Sequence, residues 1–342
     1  MIITLFTSIF FVLLAYWSVR RLLEKFQLSN ISARPALITG CDSGFGYALT
    51  LKCVNAGMPV FAACLTQKGI DELKSETKKI SQNAEKLLIA FQMDVTDETS
   101  VKKAKSFVEQ EIINRDYKGL HGLVNNAGVV GNSAWDDWLR VDDYDTVWRV
   151  NSLGLIRVTH AFKPLVKKTK GRIVNTASVC GRVSLPGIGP YTVSKYAVEG
   201  YNDTLRLEMG QFGVLVCLLE PGFFRTSLTN SKVQSNMIEK VWKQADDSVR
   251  REYGENFFYF TKTMLQKSLN ACSNKLELVV DAYFHALTSL WPRARYHVGM
   301  DSAFGFVPFS MLPTQIQDIV FWLIARLQGA PLPCAALAEK VQ

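Results

Sequence analysis

"PALITGCDSGFGYALTLKCVNAGMPVFAACL" (Pro35–Leu65) is the stretch whose reading decides the fold. "PALITG" is a short apolar run ending in glycine, which predicts a strand. "GYALTLKCVNAG" (Gly46–Gly57) has helical spacing and a terminal glycine, and "MPVFAACL" (Met58–Leu65) predicts a second strand. Between the first strand and the helix sit Gly40, Gly44 and Gly46 in "TGCDSGFG". Glycines at that junction allow a tight turn and let backbone N–H groups approach a pyrophosphate at the helix N-terminus. The spacing is G-x-x-x-G-x-G rather than G-x-G-x-x-G, so its setting inside a β-α-β unit carries the inference.

The alternation continues in both sequence and pattern. Leu87–Phe91 predicts a strand before Asp94, and a charged helix follows from Asp97 to about Asn114. "GLHGLVNNAG" is another strand, a helix spans about Tyr144 to Lys168, and "GRIVNTAS" and "GVLVCLLEPG" are strands flanking a helix that starts near Tyr191. Repeated β-α units with β-rich apolar strands imply an α/β fold, a doubly wound parallel sheet with helices on both faces. After Phe223 the pattern breaks. Residues 226–274 are polar, charged and aromatic, then a helix over Leu276–Leu290 and a strand around Tyr296–Val298 are predicted. The segments read as 1–18 membrane anchor, 19–34 linker, 35–228 catalytic core, 229–275 substrate lid, and 276–342 completion of the sheet with an apolar tail.

The chain has 342 residues, 48% of them hydrophobic, enough for a sizeable core, and a formal net charge of +8. Its basic residues are dispersed and form no stripe with interleaved aromatics, so nucleic acid is not an expected partner. Seven cysteines show no C-x-x-C pair and no metal-ligand spacing to histidine, so no metal is expected. "MIITLFTSIFFVLLAYW" (Met1–Trp17) is uncharged and is followed by Arg20, Arg21 and Lys25. It lacks a charged n-region and a small-residue cleavage site, which favours a retained membrane anchor over a removed signal peptide. The basic residues favour a cytosolic catalytic side over a lumenal one. "IVFWLIARL" (Ile319–Leu327) is too short to span a bilayer; it either packs on the body or lies in the interface.

"TGCDSGFG", "NNAG" (125–128), Asn151, Ser178, "YTVSK" (191–195) and "PGFFRT" (221–226) occur in that order. Together they resemble the short-chain dehydrogenase/reductase family over roughly Ala36 to Leu228. "AACLTQKG", "SKYAVEG", "LLEPGFF" and "LPTQIQD" are similar to its membrane-bound retinol and 3α/17β-hydroxysteroid dehydrogenase branch. The resemblance implies a Rossmann-like single domain and a nicotinamide cofactor held by Gly40, Asp42, Ser43, Gly44, Phe45 and Gly46. It further implies adenosine contacts from Asp94, Val95, Asn125, Ala127 and Gly128, and nicotinamide contacts from Pro221, Gly222 and Thr226. Asn151, Ser178, Tyr191 and Lys195 are the implied catalytic set, with Tyr191 and Lys195 also touching the cofactor. Asn151 would hold a water linking Lys195 to solvent. An endoplasmic-reticulum location and a homodimer fit the same branch.

Chemistry supports that set. The second strand ends "AACLTQ" without a carboxylate for a ribose 2′-hydroxyl, yet nothing cationic stands ready for a 2′-phosphate and Asp42 would repel one, so NAD is expected over NADP. Alcohol oxidation needs a base suited to neutral pH and a polar group for the developing carbonyl oxygen. Tyr191 and Lys195, one helical turn apart, share a face. A phenol titrates near 10. Lowering it by about three pH units takes about 4 kcal/mol, which two close positive charges, Lys195 and an oxidised nicotinamide, can supply. Ser178, at a strand's C-terminal end, would bond the substrate oxygen. Expected substrates are lipophilic alcohols, retinol or a hydroxysteroid. Mitochondrial 3-hydroxybutyrate dehydrogenase shares "TGCDSGFG" and is the alternative enzyme. A membrane-tethered scaffold without turnover is the alternative of another class, and it would require a defect in a set that is intact.

Overall fold

A computed structural model describes residues 2–338; for 2–7, 9, 10, 13 and 338 only the backbone is described. Seven strands form one fully parallel sheet: β1 (Ala36–Thr39), β2 (Val60–Cys64), β3 (Leu88–Gln92), β4 (Gly122–Asn125), β5 (Arg172–Thr176), β6 (Leu215–Pro221) and β7 (Arg295–Val298). Their spatial order is β3-β2-β1-β4-β5-β6-β7. The reversal of direction between β1 and β4 opens a crevice at the strands' C-terminal ends, where such sheets hold ligands.

The helices are α1 (Ile2–Leu23), α2 (Gly44–Asn55), α3 (Gln67–Ile80), α4 (Gln82–Leu87), α5 (Glu98–Asn114), α6 (Val141–Trp148), α7 (Leu155–Lys168) and α8 (Gly189–Gly210). After β6 come α9 (Ser231–Gln244), α10 (Asp247–Tyr253), α11 (Glu255–Asn270) and α12 (Glu277–Thr288), and after β7 come α13 (Val307–Ser310), α14 (Thr314–Leu327) and α15 (Cys334–Ala338). Strand side chains alternate between two apolar faces, as a sheet buried on both sides requires. Leu37, Phe61, Leu123 and Ile173 pack with Val108 of α5, Phe162 of α7 and Leu205 of α8. Ile38, Ala62, Val174 and Leu219 face the other way, onto Leu49 of α2 and Val279 and Tyr283 of α12.

Local chemistry sets the element ends. Asp97 caps α5 by accepting from Thr99 N at 2.8 Å, and Ser81 caps α4 through Ala84 N at 3.0 Å. The long helix expected from Tyr144 begins at Val141 and is interrupted by a π turn, Arg149–Gly154. A Cβ on Gly154 would lie 2.8 Å from Val95 Cγ2, so the turn lets that helix press against the loop after β3. Residues 226–274, read as a break in the pattern, form three helices. Trp242 and Phe258 stack there at 5.0 Å, with Trp138 against both.

Of the predicted anchor, Met1 and the side chains of 2–7, 9, 10 and 13 lie outside the described residues. Among the described residues no helix is long and apolar enough to cross a membrane. The C-terminal end of α1 is fixed to the body. Arg20 donates to Pro292 O at 2.6 Å, Arg293 to Glu24 at 2.6 Å, and Leu28 N to Thr288 O at 2.7 Å. Six cysteines are buried and Cys334 is exposed, all of them free thiols.

Behind the crevice, Glu220 of β6 is fully buried and joins that strand to β7. It accepts from Arg182 at 2.6 Å and Arg295 at 2.8 Å, and its other oxygen lies 2.5 Å from His297. Burial works to raise this carboxyl, but hydrogen bonds from His297 and Arg182 outweigh it and hold the group low. Removing Glu220 takes the buried carboxylate from His297 and leaves Arg182 with Glu199 and Arg295 with Glu199 and Asp203. Glu220→Ala is expected to destabilise the chain by about 3–5 kcal/mol. Urea unfolding of the full chain checks this; a midpoint equal to the parent's would mean the network contributes nothing to the β6–β7 join.

Candidate active site

The crevice opens into a cavity of about 1670 Å³ that runs from the glycine loop to the C-terminal tail. The glycine loop is built for close approach. Gly40 has φ +70°, and a Cβ there would meet Ala127 Cα at 2.8 Å; Gly44 has φ +63°. Gly46 lies off the cavity. A Cβ on it would lie 2.5 Å from both Gly40 O and Asn126 Nδ2, so its role is to let α2 start against the turn. Gly40, Asp42, Ser43, Gly44 and Phe45 line the cavity.

Asp42 bends back to the end of β2. Its carboxylate accepts from Leu65 N at 2.7 Å, Thr66 N at 2.9 Å and Thr66 Oγ1 at 2.7 Å. The strand that lacks an acid of its own is therefore given one by the loop. Asp94 and Val95 also line the cavity, with Asp94 Oδ1 taken by Thr96 N and Thr96 Oγ1, both at 2.8 Å. On the far side Pro221, Gly222 and Thr226 line the wall. Ser227 Oγ bonds Ser43 Oγ at 2.9 Å, closing the loop after β6 onto the glycine loop.

The "NNAG" segment divides its labour. Ala127 and Gly128 face the cavity. Asn125 does not; its amide donates to Thr159 Oγ1 and Asn175 Oδ1, each at 2.8 Å, inside the sheet. Asn126 takes the cavity position and clamps the glycine turn through Thr39 O at 2.9 Å. The strand's alternation was the available signal. Asn125 and Asn126 must point to opposite sides, and which one faces the crevice depends on register.

Tyr191 and Lys195 both line the cavity near the start of α8, with the Lys195 ammonium 5.4 Å from the Tyr191 ring centre. Pro190 in the first turn suits a helix start because its missing N–H has no partner there. Lys195 is buried, and its Nζ donates to Thr176 O at 2.8 Å. Burial lowers its ammonium to about 8. Burial also holds the Tyr191 phenol well above its ordinary value; nearby Cys180 adds to this, and a hydrogen bond with Ser178 pulls the other way. In the protein alone, therefore, burial dominates at the phenol, with Ser178 the group that opposes it. Ser178 lines the cavity two residues past β5 and accepts from Cys180 N at 3.2 Å.

Asn151 stands in the π turn with both of its amide N–H groups committed. It accepts from Val129 N at 2.8 Å and donates to Val129 O at 2.8 Å and Ser194 Oγ at 2.9 Å. Its amide thus pins the loop after β4 to α8, with one Oδ1 lone pair left beyond the Val129 bond. The aromatic run after Gly254 splits. Phe257 and Phe260 line the cavity, Phe258 joins the tryptophan stack, and Tyr259 is exposed. From the tail, Phe321, Trp322 and Leu332 reach the same cavity, which spacing alone could not place. No cluster of metal-binding side chains occurs among the described residues.

Known proteins resemble this chain in sequence and in fold. Residues 34–237 match the family described as short chain dehydrogenase. Retinol dehydrogenase 7 of Rattus norvegicus is 42% identical, over 95% of this chain and 98% of its own length. The 17-beta-hydroxysteroid dehydrogenase type 6 of Mus musculus is 41% identical, over 91% and 94%. The 3beta-hydroxysteroid dehydrogenase dhs-16 of Caenorhabditis elegans is 43% identical, over 91% and 79%. A short chain dehydrogenase/reductase of Burkholderia phymatum, solved in complex with NAD, has the same fold, with TM-score 0.63 and 23% identity over 84% of this chain and 94% of that one.

Proposed function

The chain belongs to the short-chain dehydrogenase family and is an oxidoreductase, and from that premise we propose that it oxidises lipophilic alcohols, retinoid or hydroxysteroid, with NAD at a membrane surface. One observation carries the reading: Ser178, Tyr191 and Lys195 converge on one cavity with a glycine cradle at its end. The residues fit a dinucleotide. Gly40 and Gly44, both at positive φ, shape a tight turn at the start of α2, which suits a pyrophosphate lying against that helix N-terminus. A bound nicotinamide supplies the hydride acceptor and, when oxidised, a positive charge.

In this reading the chain's own groups do the following. Ser178 bonds the substrate hydroxyl and fixes it beside Tyr191. Tyr191 takes the hydroxyl proton as the phenolate. Lys195, anchored on Thr176 O, holds the ribose and favours that phenolate. Asn151 acts by position, locking the loop after β4 to α8 with its amide. Asp42 supports NAD over NADP. Its carboxylate sits at the end of β2 on two amides and a hydroxyl, where a 2′-phosphate would meet a negative charge.

The relatives' names supply the substrate class, and their near-complete overlap with this chain extends it to the lid. A membrane setting is supported by two apolar surfaces, and an endoplasmic-reticulum location with the catalytic side toward the cytosol rests on the family branch and on Arg20, Arg21 and Lys25. Val12, Trp17 and Leu22 of α1 are exposed, as are Ile319, Trp322 and Leu327 of α14.

Tyr191→Phe is expected to cut kcat for retinol and hydroxysteroids at least a thousandfold while NAD affinity changes less than about threefold; coenzyme absorbance and binding titration measure both, and retained turnover sinks the assignment. Asp42→Ala is expected to shrink the NAD-over-NADP ratio of kcat/KM about tenfold, equivalent to about 1.4 kcal/mol. An unchanged ratio would remove Asp42 from cofactor choice. In sealed microsomes the catalytic body is expected to be digested by added protease without detergent, and protection would place it in the lumen.

A further inference from the structure

The substrate part of the cavity is walled by Trp135, Phe257, Met264, Leu265 and, from the tail, Phe321 and Trp322. Within that apolar wall sit two polar side chains that the proposed chemistry does not use. Ser133, in the loop after β4, is 3% exposed, and Gln234 of α9 is 5% exposed; both line the cavity. Ser133 Oγ donates to Gln234 Oε1 at 3.2 Å, and Gln234 Nε2 donates to Leu228 O at 3.3 Å. Both contacts are longer than the usual optimum for their type. An amide has two N–H donors and two acceptor lone pairs, and a hydroxyl has two lone pairs. The bonds present therefore leave one amide N–H, one amide lone pair and the serine lone pairs without a protein partner. Neither residue bonds to Asn151, Ser178, Tyr191 or Lys195.

Unused hydrogen-bonding capacity against an apolar wall is costly unless something polar takes it up. The reacting oxygen of the substrate belongs to Ser178 and Tyr191, so it is not available for this pair. We propose that Ser133 and Gln234 form a second polar subsite that binds another oxygen of the substrate. The substrate class is then a lipophilic alcohol bearing a further hydroxyl or carbonyl, as in an oxygenated steroid, rather than an alcohol whose only oxygen is the reacting one. This rests on the oxidoreductase reading above and narrows it.

The test compares kcat/KM of the full chain in detergent micelles for three alcohols: a hydroxysteroid with a distal carbonyl, the same steroid lacking it, and retinol. Gln234→Leu is expected to lower the first by about ten- to a hundredfold and to leave the other two within about threefold. Ser133→Ala, a smaller change, is expected to act in the same direction by about three- to tenfold. An equal fall for all three alcohols would mean the pair only braces the lid and would overturn the subsite. A raised KM for NAD with unchanged alcohol ratios would overturn it too, assigning the pair to the cofactor. Turnover of none of the alcohols by the unaltered chain would overturn the parent reading, and the subsite with it.

Discussion

A buried ammonium ties this structure together. Lys195 sits almost out of water with Thr176 O as its acceptor, 2.8 Å away, so α8 is pinned to the C-terminal end of β5. Beneath that bond runs a chain of buried amides. Asn125 donates to Asn175, and Asn175 donates to Asn202 of α8 at 3.0 Å. Thr176 Oγ1 returns to Asn125 O at 2.8 Å. Each link satisfies a polar group that burial would otherwise penalise, so β4, β5 and α8 have one mutual arrangement. The position of Tyr191 follows, because it rides one turn before Lys195 on the same helix.

The same burial creates an electrostatic tension. Desolvation lowers the lysine toward neutrality and lifts the phenol, opposite to what proton abstraction needs. In this condition the phenol keeps its proton at neutral pH, and a further positive charge beside it would favour the phenolate.

Around this fixed centre, the parts that define substrate space come from far along the chain. Helices α9 to α11 contribute the aromatic wall, and the tail after β7 contributes Phe321, Trp322 and Leu332. Tyr253 Oη donates to Asp137 at 2.6 Å and Trp135 Nε1 to Thr261 at 3.2 Å, so the wall is fastened to the loop after β4 by polar bonds at its rim. Trp322 of α14 both lines the cavity and is exposed, which puts the proposed membrane face next to the proposed substrate chamber.

The strands, the glycine turn and the Tyr191–Lys195 pair were legible because each depends on short-range spacing: alternation along a strand, φ freedom at glycine, one turn of helix. The order of "TGCDSGFG", "NNAG", Ser178 and "YTVSK" was enough to read the core and most of its lining. Other features depend on contacts between segments distant in sequence. Register alone turned Asn125 into the sheet and Asn126 toward the crevice. The reach of Asp42 to Thr66, across 24 residues, supplied the acid that β2 lacks. The commitment of Asn151 to Val129, and the pairing of Ser133 with Gln234 across 101 residues, exist only once β4, the π turn and α9 meet. Local pattern determined which chemistry this chain carries. Tertiary packing decided which atoms remain free to perform it, because a polar group's availability depends on what closes around it.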